Sequence, residues 1–312
     1  MLSAQLSTIT RDLELLNNRL NIFWFIVIVM ATREDKFVDF VAYLYDKYPE
    51  CFDFKSDVWT EKYNGEDGIF AVFIRTLVCN DKQSESVFKD LGKFDGAEKQ
   101  LRMQDQADFD NLVNDIIAGV VIGPNRGDHR KGYRSKRYFP RTLREYLEMV
   151  RDSQVAWFNH FCSFDEAFNK LQEIHDAGPL FAFDLLERLC RSKNHFFKFH
   201  PEQFYCTGSG ECQGVRNIYV DDLSKKEIEE KGNRLINKIL KKSNIPKKIA
   251  YFEVESILCI YQKKEIREAA DEFLKCRLTV EQFTNEYAKS IRQSSIPRQG
   301  CQRVRETRFR LA

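Results

Sequence analysis

Residues 178–215 read GPLFAFDLLERLCRSKNHFFKFHPEQFYCTGSGECQGV, in a chain that has only 14 Gly and 7 Pro among 312 residues. Phe181, Leu185, Leu186 and Leu189 recur at spacings of three and four, which puts them on one stripe of a helix. Gly178-Pro179 precedes that stripe, and TGSGECQG (207–214) then supplies Gly208, Gly210 and Gly214. Two readings compete for the glycines: a tight corner between helices, or a loop whose backbone N–H groups wrap a phosphate.

The same periodicity extends on both sides. Phe37, Phe40, Val41, Leu44 and Tyr48 share a helical face, Glu34 and Asp35 lie in its first turn, and Pro49 ends it. IFAVFIRTLVC (69–79) reads as a buried helix, and LVNDIIAGVVIG (112–123) is an apolar run that fits helix or strand. TLREYLEMVRDSQVAWFNHF continues the pattern, and SFDEAFNKLQEI begins on Ser163 with Glu166 three residues later, a capping box. SKKEIEEKGNRLINKILKK, then KKIAYFEVESILCIYQKKEIREAADEFLKC as one segment, then LTVEQFTNEYAKSIRQ are further helices. Period-two strands joined by hairpin turns are missing from the pattern. The expected fold class is mainly α: a single helical domain over 33–290, an N-terminal extension (1–32) and a basic C-terminal tail (291–312).

Composition narrows the partners only a little. Apolar residues make up 43% and charged residues 31%, with 26 Phe and 12 Tyr, a globular profile with a net charge of +2. NIFWFIVIVMA (21–31) is about half the ~20 residues needed to span a bilayer, so no stable membrane association is expected. Asp12 and Glu14 dilute Arg19 as a signal-peptide flank, and the first 29 residues are expected to be an extension. Nine cysteines without a CxxC pair read as scattered reduced thiols and no metal site; Cys206 and Cys212, six apart, are the closest two. That pattern predicts an intracellular protein, nuclear in a eukaryote and otherwise cytoplasmic.

Charge is concentrated locally. NRGDHRKGYRSKRYFPRTLR (125–144) carries eight Lys/Arg against one Asp, with Tyr133, Tyr138 and Phe139 interleaved. Arg130, Lys131, Arg134, Lys136 and Arg137 are suited to neutralise phosphates while rings stack on bases, or else form a solvated loop. LQEIHDAGPLFAFDLLERL (171–189) has the form of a helix end, a Gly178 corner and a second helix opening near Ala182. A helix-hairpin-helix of that form offers backbone N–H groups to a DNA phosphate without reading sequence. An ordinary helix–helix corner gives the same residues.

In AYFEVESILCIYQKK (250–264), Glu255 and Cys259 lie one turn apart, and Glu253 and Glu255 interrupt an apolar run. A carboxylate against apolar surface holds its proton more tightly, which suits general-base work, unless it pairs with a core arginine such as Arg75.

Taken together, an A-x-x-L helix after Gly-Pro, the glycine-rich TGSGECQG and the E-x-x-L-C helix followed by Lys263 resemble the α-glutamyl/putrescinyl thymine pyrophosphorylase family. The related helical domain of 5-hydroxymethyluracil DNA kinases shares the pattern. The resemblance spans about Arg33 to Lys289 and is strongest from Phe164 to Lys264. It implies a fold similar to helix-hairpin-helix DNA glycosylases and a role in thymine hypermodification, with an incoming amine displacing a phosphate or pyrophosphate ester at the 5-methylene. Double-stranded DNA with a flipped base and an amine or amino-acid donor are the implied partners, and no cofactor is identified. Under that resemblance Gly208, Gly210 and Gly214 cradle pyrophosphate, Glu255 orients or deprotonates the amine, and Arg75 or Lys263 balances charge. Glu211 departs from the pattern, because an acid beside pyrophosphate needs a metal or Arg216 to offset it. A DNA glycosylase and a noncatalytic DNA-binding scaffold are the alternatives. The glycosylase lacks a suitable Asp about twenty residues after the hairpin, Asp221 and Asp222 lying too far on.

Overall fold

The computed structural model describes residues 32–52, 59–78, 81–120 and 137–274. These form thirteen α-helices with two short 3-10 segments and, among the described residues, no β-strand. In chain order they are α1 (Arg33–Lys47), α2 (Gly65–Leu77), α3 (Asp81–Asp90), α4 (Lys93–Met103), α5 (Gln106–Ile116), α6 (Phe139–Val150) and α7 (Gln154–His160). They continue as α8 (Phe164–Leu171), α9 (Pro179–Arg191), α10 (Ser209–Tyr219), α11 (Lys225–Lys242), α12 (Lys247–Tyr261) and α13 (Lys264–Leu274). The expected N-terminal extension, the C-terminal tail and the helix after Leu278 lie outside the described residues.

Two apolar clusters organise these helices. The first collects the buried faces of α2 to α9, including Phe70, Phe73, Tyr146, Phe181 and Leu185. The second gathers Phe37, Phe40 and Val41 of α1 with Val215 of α10, Leu235 and Ile236 of α11, and Val254 and Leu258 of α12. Phe252 of α12 reaches into the first cluster, edge-on to Phe164 and Phe183, so α12 joins the two. Each fully buried ring of this size contributes roughly 1.5–3 kcal/mol of burial free energy, more than any surface ion pair here.

Polar side chains fix where helices start and stop. Ser163 Oγ accepts from Glu166 N–H at 3.1 Å, as its cap position predicts. The TLREYLEMVRDSQVAWFNHF segment divides into α6 and α7, because Asp152 takes a left-handed φ of 59°. The freed N–H groups are captured by acids: Asp152 N–H donates to Glu98 (2.8 Å) and Gln154 N–H to Glu66 (2.6 Å). The segment 247–276, expected as one helix, ends at Tyr261 and restarts at Lys264. At that break the Gln262 carbonyl accepts from Asn217 Nδ2 (2.9 Å) and from Arg267, which satisfies an acceptor no longer used inside a helix.

The α1–α11 contact carries an ion-pair ladder. Glu34 meets Arg234 (2.8 Å) and Lys238 (3.0 Å), and Asp35 meets Lys238 (3.3 Å). Burial pushes the Glu34 carboxyl upward, but its bonds from Lys238 and Arg234 outweigh that and hold it below the usual range. No helix among the described residues is long and apolar enough to cross a membrane.

Candidate functional site

The glycine-rich segment is not a loop. Gly208 precedes α10, and Gly210 and Gly214 lie inside it, one turn apart on the face that meets α12. A Cβ on Gly214 would come within 2.3 Å of the Leu258 carbonyl oxygen, and one on Gly210 within 2.5 Å of Cys259 Sγ. Glycine is therefore required there for close helix packing, and the expected phosphate cradle is corrected to a helix–helix contact. Helix propensity alone disfavours such a run, by roughly 0.8–1 kcal/mol per glycine, and packing overrides it.

The N-terminus of α10 is still an anion site, and the chain fills it with its own acid. Gly208 N–H donates to Glu211 Oε1, as does the Thr207 hydroxyl at 3.0 Å. The same Thr207 hydroxyl lies 3.0 Å from Glu255 Oε1 on α12. Glu211 and Glu255 are each only 1% exposed. Burial first, and the neighbouring Glu255 carboxylate second, push the Glu211 carboxyl up to about 7. A hydroxyl has one proton and cannot donate to two carboxylates at once. When Glu211 is protonated the contacts resolve into a relay, with Glu211 donating to Thr207 and Thr207 donating to Glu255. With its carboxyl pushed up to about 7, Glu211 can take up or release a proton near neutral pH, the property general acid–base chemistry needs.

Cys206 and Cys212 form a disulfide that brackets this turn, which corrects the expectation that all the cysteines are reduced thiols. Cys206 immediately precedes Thr207 and Cys212 immediately follows Glu211, so the covalent ring contains two of the three polar residues of the relay.

Arg75 is buried in α2, where its Nη1 donates to the Val78 carbonyl at 2.9 Å. Lys263 follows α12, eight residues beyond Glu255, about 12 Å farther along the axis at 1.5 Å per residue. The core arginine that pairs with an α12 acid is Arg191, and the acid is Glu253 (2.5 Å); the same guanidinium also meets Glu187 (3.1 Å). Among the described residues no group of three or more His, Cys, Asp or Glu is arranged to hold a metal ion.

The corner expected at Gly178 is present, with α9 opening at Pro179 rather than near Ala182. Proline is suited to the first helical position because its missing N–H would be unpaired there anyway. Gly178 is exposed, and a Cβ added to it would meet nothing within 4 Å. Glycine has no side chain with which to cap the first turn, and no side-chain hydrogen bond caps the start of α9.

Of the basic stretch, Arg130, Lys131, Arg134 and Lys136 lie outside the described residues, and Arg137 is exposed with its guanidinium 5.7 Å from the Tyr138 ring centre. The described end of that stretch is tied to the corner through His175, a residue the sequence pattern does not single out. Arg141 Nη1 lies 3.2 Å from His175 Nε2, and Thr142 Oγ1 donates to the His175 carbonyl at 3.1 Å. His175 N–H donates to Glu145 at 2.6 Å, and the Tyr138 and His175 rings meet edge-on. Just behind the corner, Leu180 Cδ2 would be 3.9 Å from a Cβ on Gly208. Basic end, corner and carboxyl pair are thus linked through adjacent residues.

Thr207 is also invisible as a functional residue from sequence. Its only signal is the T-x-x-x-E spacing, which places a hydroxyl and a carboxyl at the two ends of a helix-opening turn. Comparison with family profiles, with curated proteins and with solved structures finds no match.

Proposed function

We propose that this protein acts on DNA, binding a duplex across the α8–α9 corner and modifying a thymine-derived base with the Glu211–Thr207–Glu255 group. What supports the reading is the juxtaposition through His175, which meets Arg141 and Thr142 at the described end of the basic stretch and stands three residues before the exposed Gly178 corner. Phosphates there would meet Arg137, Arg141 and the N–H groups of α9, contacts that position a duplex without reading its sequence. The carboxyl pair is buried behind Leu180, so a base that has left the stack, at a cost of roughly a few kcal/mol, would reach it only once the covering turn opens.

In the reaction that the family resemblance implies, an amine nitrogen attacks the 5-methylene carbon of a phosphorylated 5-hydroxymethyluracil. The carbon–oxygen bond breaks, and phosphate or pyrophosphate leaves with the electron pair. Glu255 takes the proton released by the amine, and Thr207 and Glu211 share it. The start of α10 does not bind the leaving group, since Glu211 occupies it and Gly210 and Gly214 are pressed against α12.

That occupation favours a second reading, a noncatalytic DNA-binding scaffold in which the carboxyl pair is structural. One experiment separates the two. Purified protein is incubated with DNA carrying phosphorylated 5-hydroxymethyluracil and a panel of amines, and the nucleosides are analysed by mass spectrometry. A new amine adduct that disappears in Glu255→Gln supports the enzyme. Unchanged nucleosides, together with duplex binding that weakens in Arg137→Glu/Arg141→Glu with a shallower salt dependence, support the scaffold.

A further inference from the structure

We propose that Cys206–Cys212 is a reversible disulfide, opened by a dithiol reductant, that clasps the turn closing over the Glu211–Glu255 pair. This rests on the reading that the pair is the reacting site. It also addresses a difficulty of that reading: carboxyls that are 1% exposed cannot meet a substrate until something moves.

The ring closed by the disulfide contains Thr207, Gly208 and Glu211, and these supply the hydroxyl and backbone N–H bonds that seat the Glu211 carboxyl. Opening the ring removes the one covalent constraint on that turn. The bond joins residues only six apart, so by loop-closure entropy it stabilises the fold far less than a long-range crosslink would, and its opening leaves the rest of the chain folded. The two sulfurs are unequal, Cys206 being half-buried and Cys212 7% exposed. Attack by an external thiolate is directed to Cys206.

Atoms and electrons balance in the exchange. One thiolate of the reductant bonds to Cys206 Sγ, the Cys206–Cys212 bond breaks, and Cys212 leaves as a thiolate in the first turn of α10, where the helix N-terminus favours negative charge. The second thiolate of the reductant then closes on the mixed disulfide and releases Cys206. Two electrons pass to the protein, its two thiolates take up protons from solvent, and the reductant becomes a disulfide. Of the three free thiols among the described residues, the half-buried Cys259 on α12 packs against Gly210 beside the ring and is the one placed to exchange with it, whereas Cys190 and Cys162 are not. Cys190 is buried, its Sγ donates to the Phe199 carbonyl, and burial pushes its thiol far above the usual range. Cys162 is exposed but precedes α8, in a different part of the chain.

The test uses the full chain without DNA, so it can fail or succeed independently of the base-modification assay. Protein oxidised with glutathione disulfide is compared with protein reduced by dithiothreitol, using differential alkylation with mass spectrometry and amide hydrogen exchange. The expected result is a 206–212 crosslink in the oxidised sample. Reduction should then speed exchange across 208–214 by at least about tenfold while 225–242 is unchanged. A Cys206→Ser chain should exchange like reduced protein under both conditions. The proposal is overturned if Cys206 and Cys212 remain separately alkylated after oxidation, if the crosslink resists dithiothreitol, or if reduction leaves exchange at 208–214 unaltered.

Discussion

The helices α9 and α10 both have a glycine at the N-cap, and they use it in opposite ways. At α9, Gly178 is exposed, a Cβ there would meet nothing, and no side chain caps the helix start. At α10, the start is filled by the carboxyl of Glu211, and the next two glycines are pressed against α12. The first start is open, without a side-chain cap, and the second is closed by the chain's own acid. The difference lies in the residues on the C-terminal side of each glycine. Pro179 and Leu180 offer no acid to fold back, whereas Glu211 stands three residues after Gly208 and does.

The largest effect that probes this contrast is expected at Gly214. Gly214→Ala drives a methyl into the Leu258 carbonyl, a backbone atom that cannot swing aside, and should cost about 3 kcal/mol in denaturant unfolding. A cost below about 1 kcal/mol would mean that α10 and α12 are not in close contact.

Next comes the buried acid. A carboxyl raised from 4.5 to about 7 binds more protons folded than unfolded between those values, so its contribution to stability is lost as pH rises through that window. Glu211→Gln should therefore be more stable than wild type at pH 8, by on the order of 3 kcal/mol, and equal to it near pH 4. Subtracting the variant's profile from that of wild type removes the opposing trend of His200. Burial, and then the charges of Lys248, His195 and Arg191, push its ring below the usual value, which makes stability rise through the same window.

Gly210→Ala meets the end of a side chain, Cys259 Sγ, which can turn away, so a cost of roughly 1 kcal/mol is expected. Gly178→Ala should change stability by less than about 1 kcal/mol, the scale of replacing a glycine N-cap with alanine. If Gly178→Ala proved as damaging as Gly214→Ala, the distinction between an open and a closed start would be lost.

Legibility in the sequence divides along the same line. Helices built on three-four apolar spacing, such as α1, α8 and α9, are legible, as are the Ser163 cap and the Gly178–Pro179 corner. Local residues encode each of them. The character of TGSGECQG is not legible, because glycine-rich text describes a flexible loop and a tight helix crossing equally well. Only the position of Leu258, more than forty residues later, decides between them. The breaks after Val150 and Tyr261 are hidden for a similar reason. The acids and donors that stabilise them, Glu66, Glu98 and Asn217, come from distant segments. Glu255 is legible as a costly acid in an apolar run, but the threonine hydroxyl that it shares with Glu211 is not, because sharing of that kind leaves no mark in a linear pattern.

The most direct test of the candidate site is a carbon-13 NMR titration of the Glu211 side-chain carboxyl in the folded, oxidised chain. A shared-proton pair requires a midpoint of about 7 that falls when Glu255 is replaced by Gln, since the Glu255 charge is one of the two causes holding the proton on. A midpoint near the ordinary 4.5 in wild type, unmoved by Glu255→Gln, would contradict the shared-proton pair and remove the chemical basis for placing a reaction there.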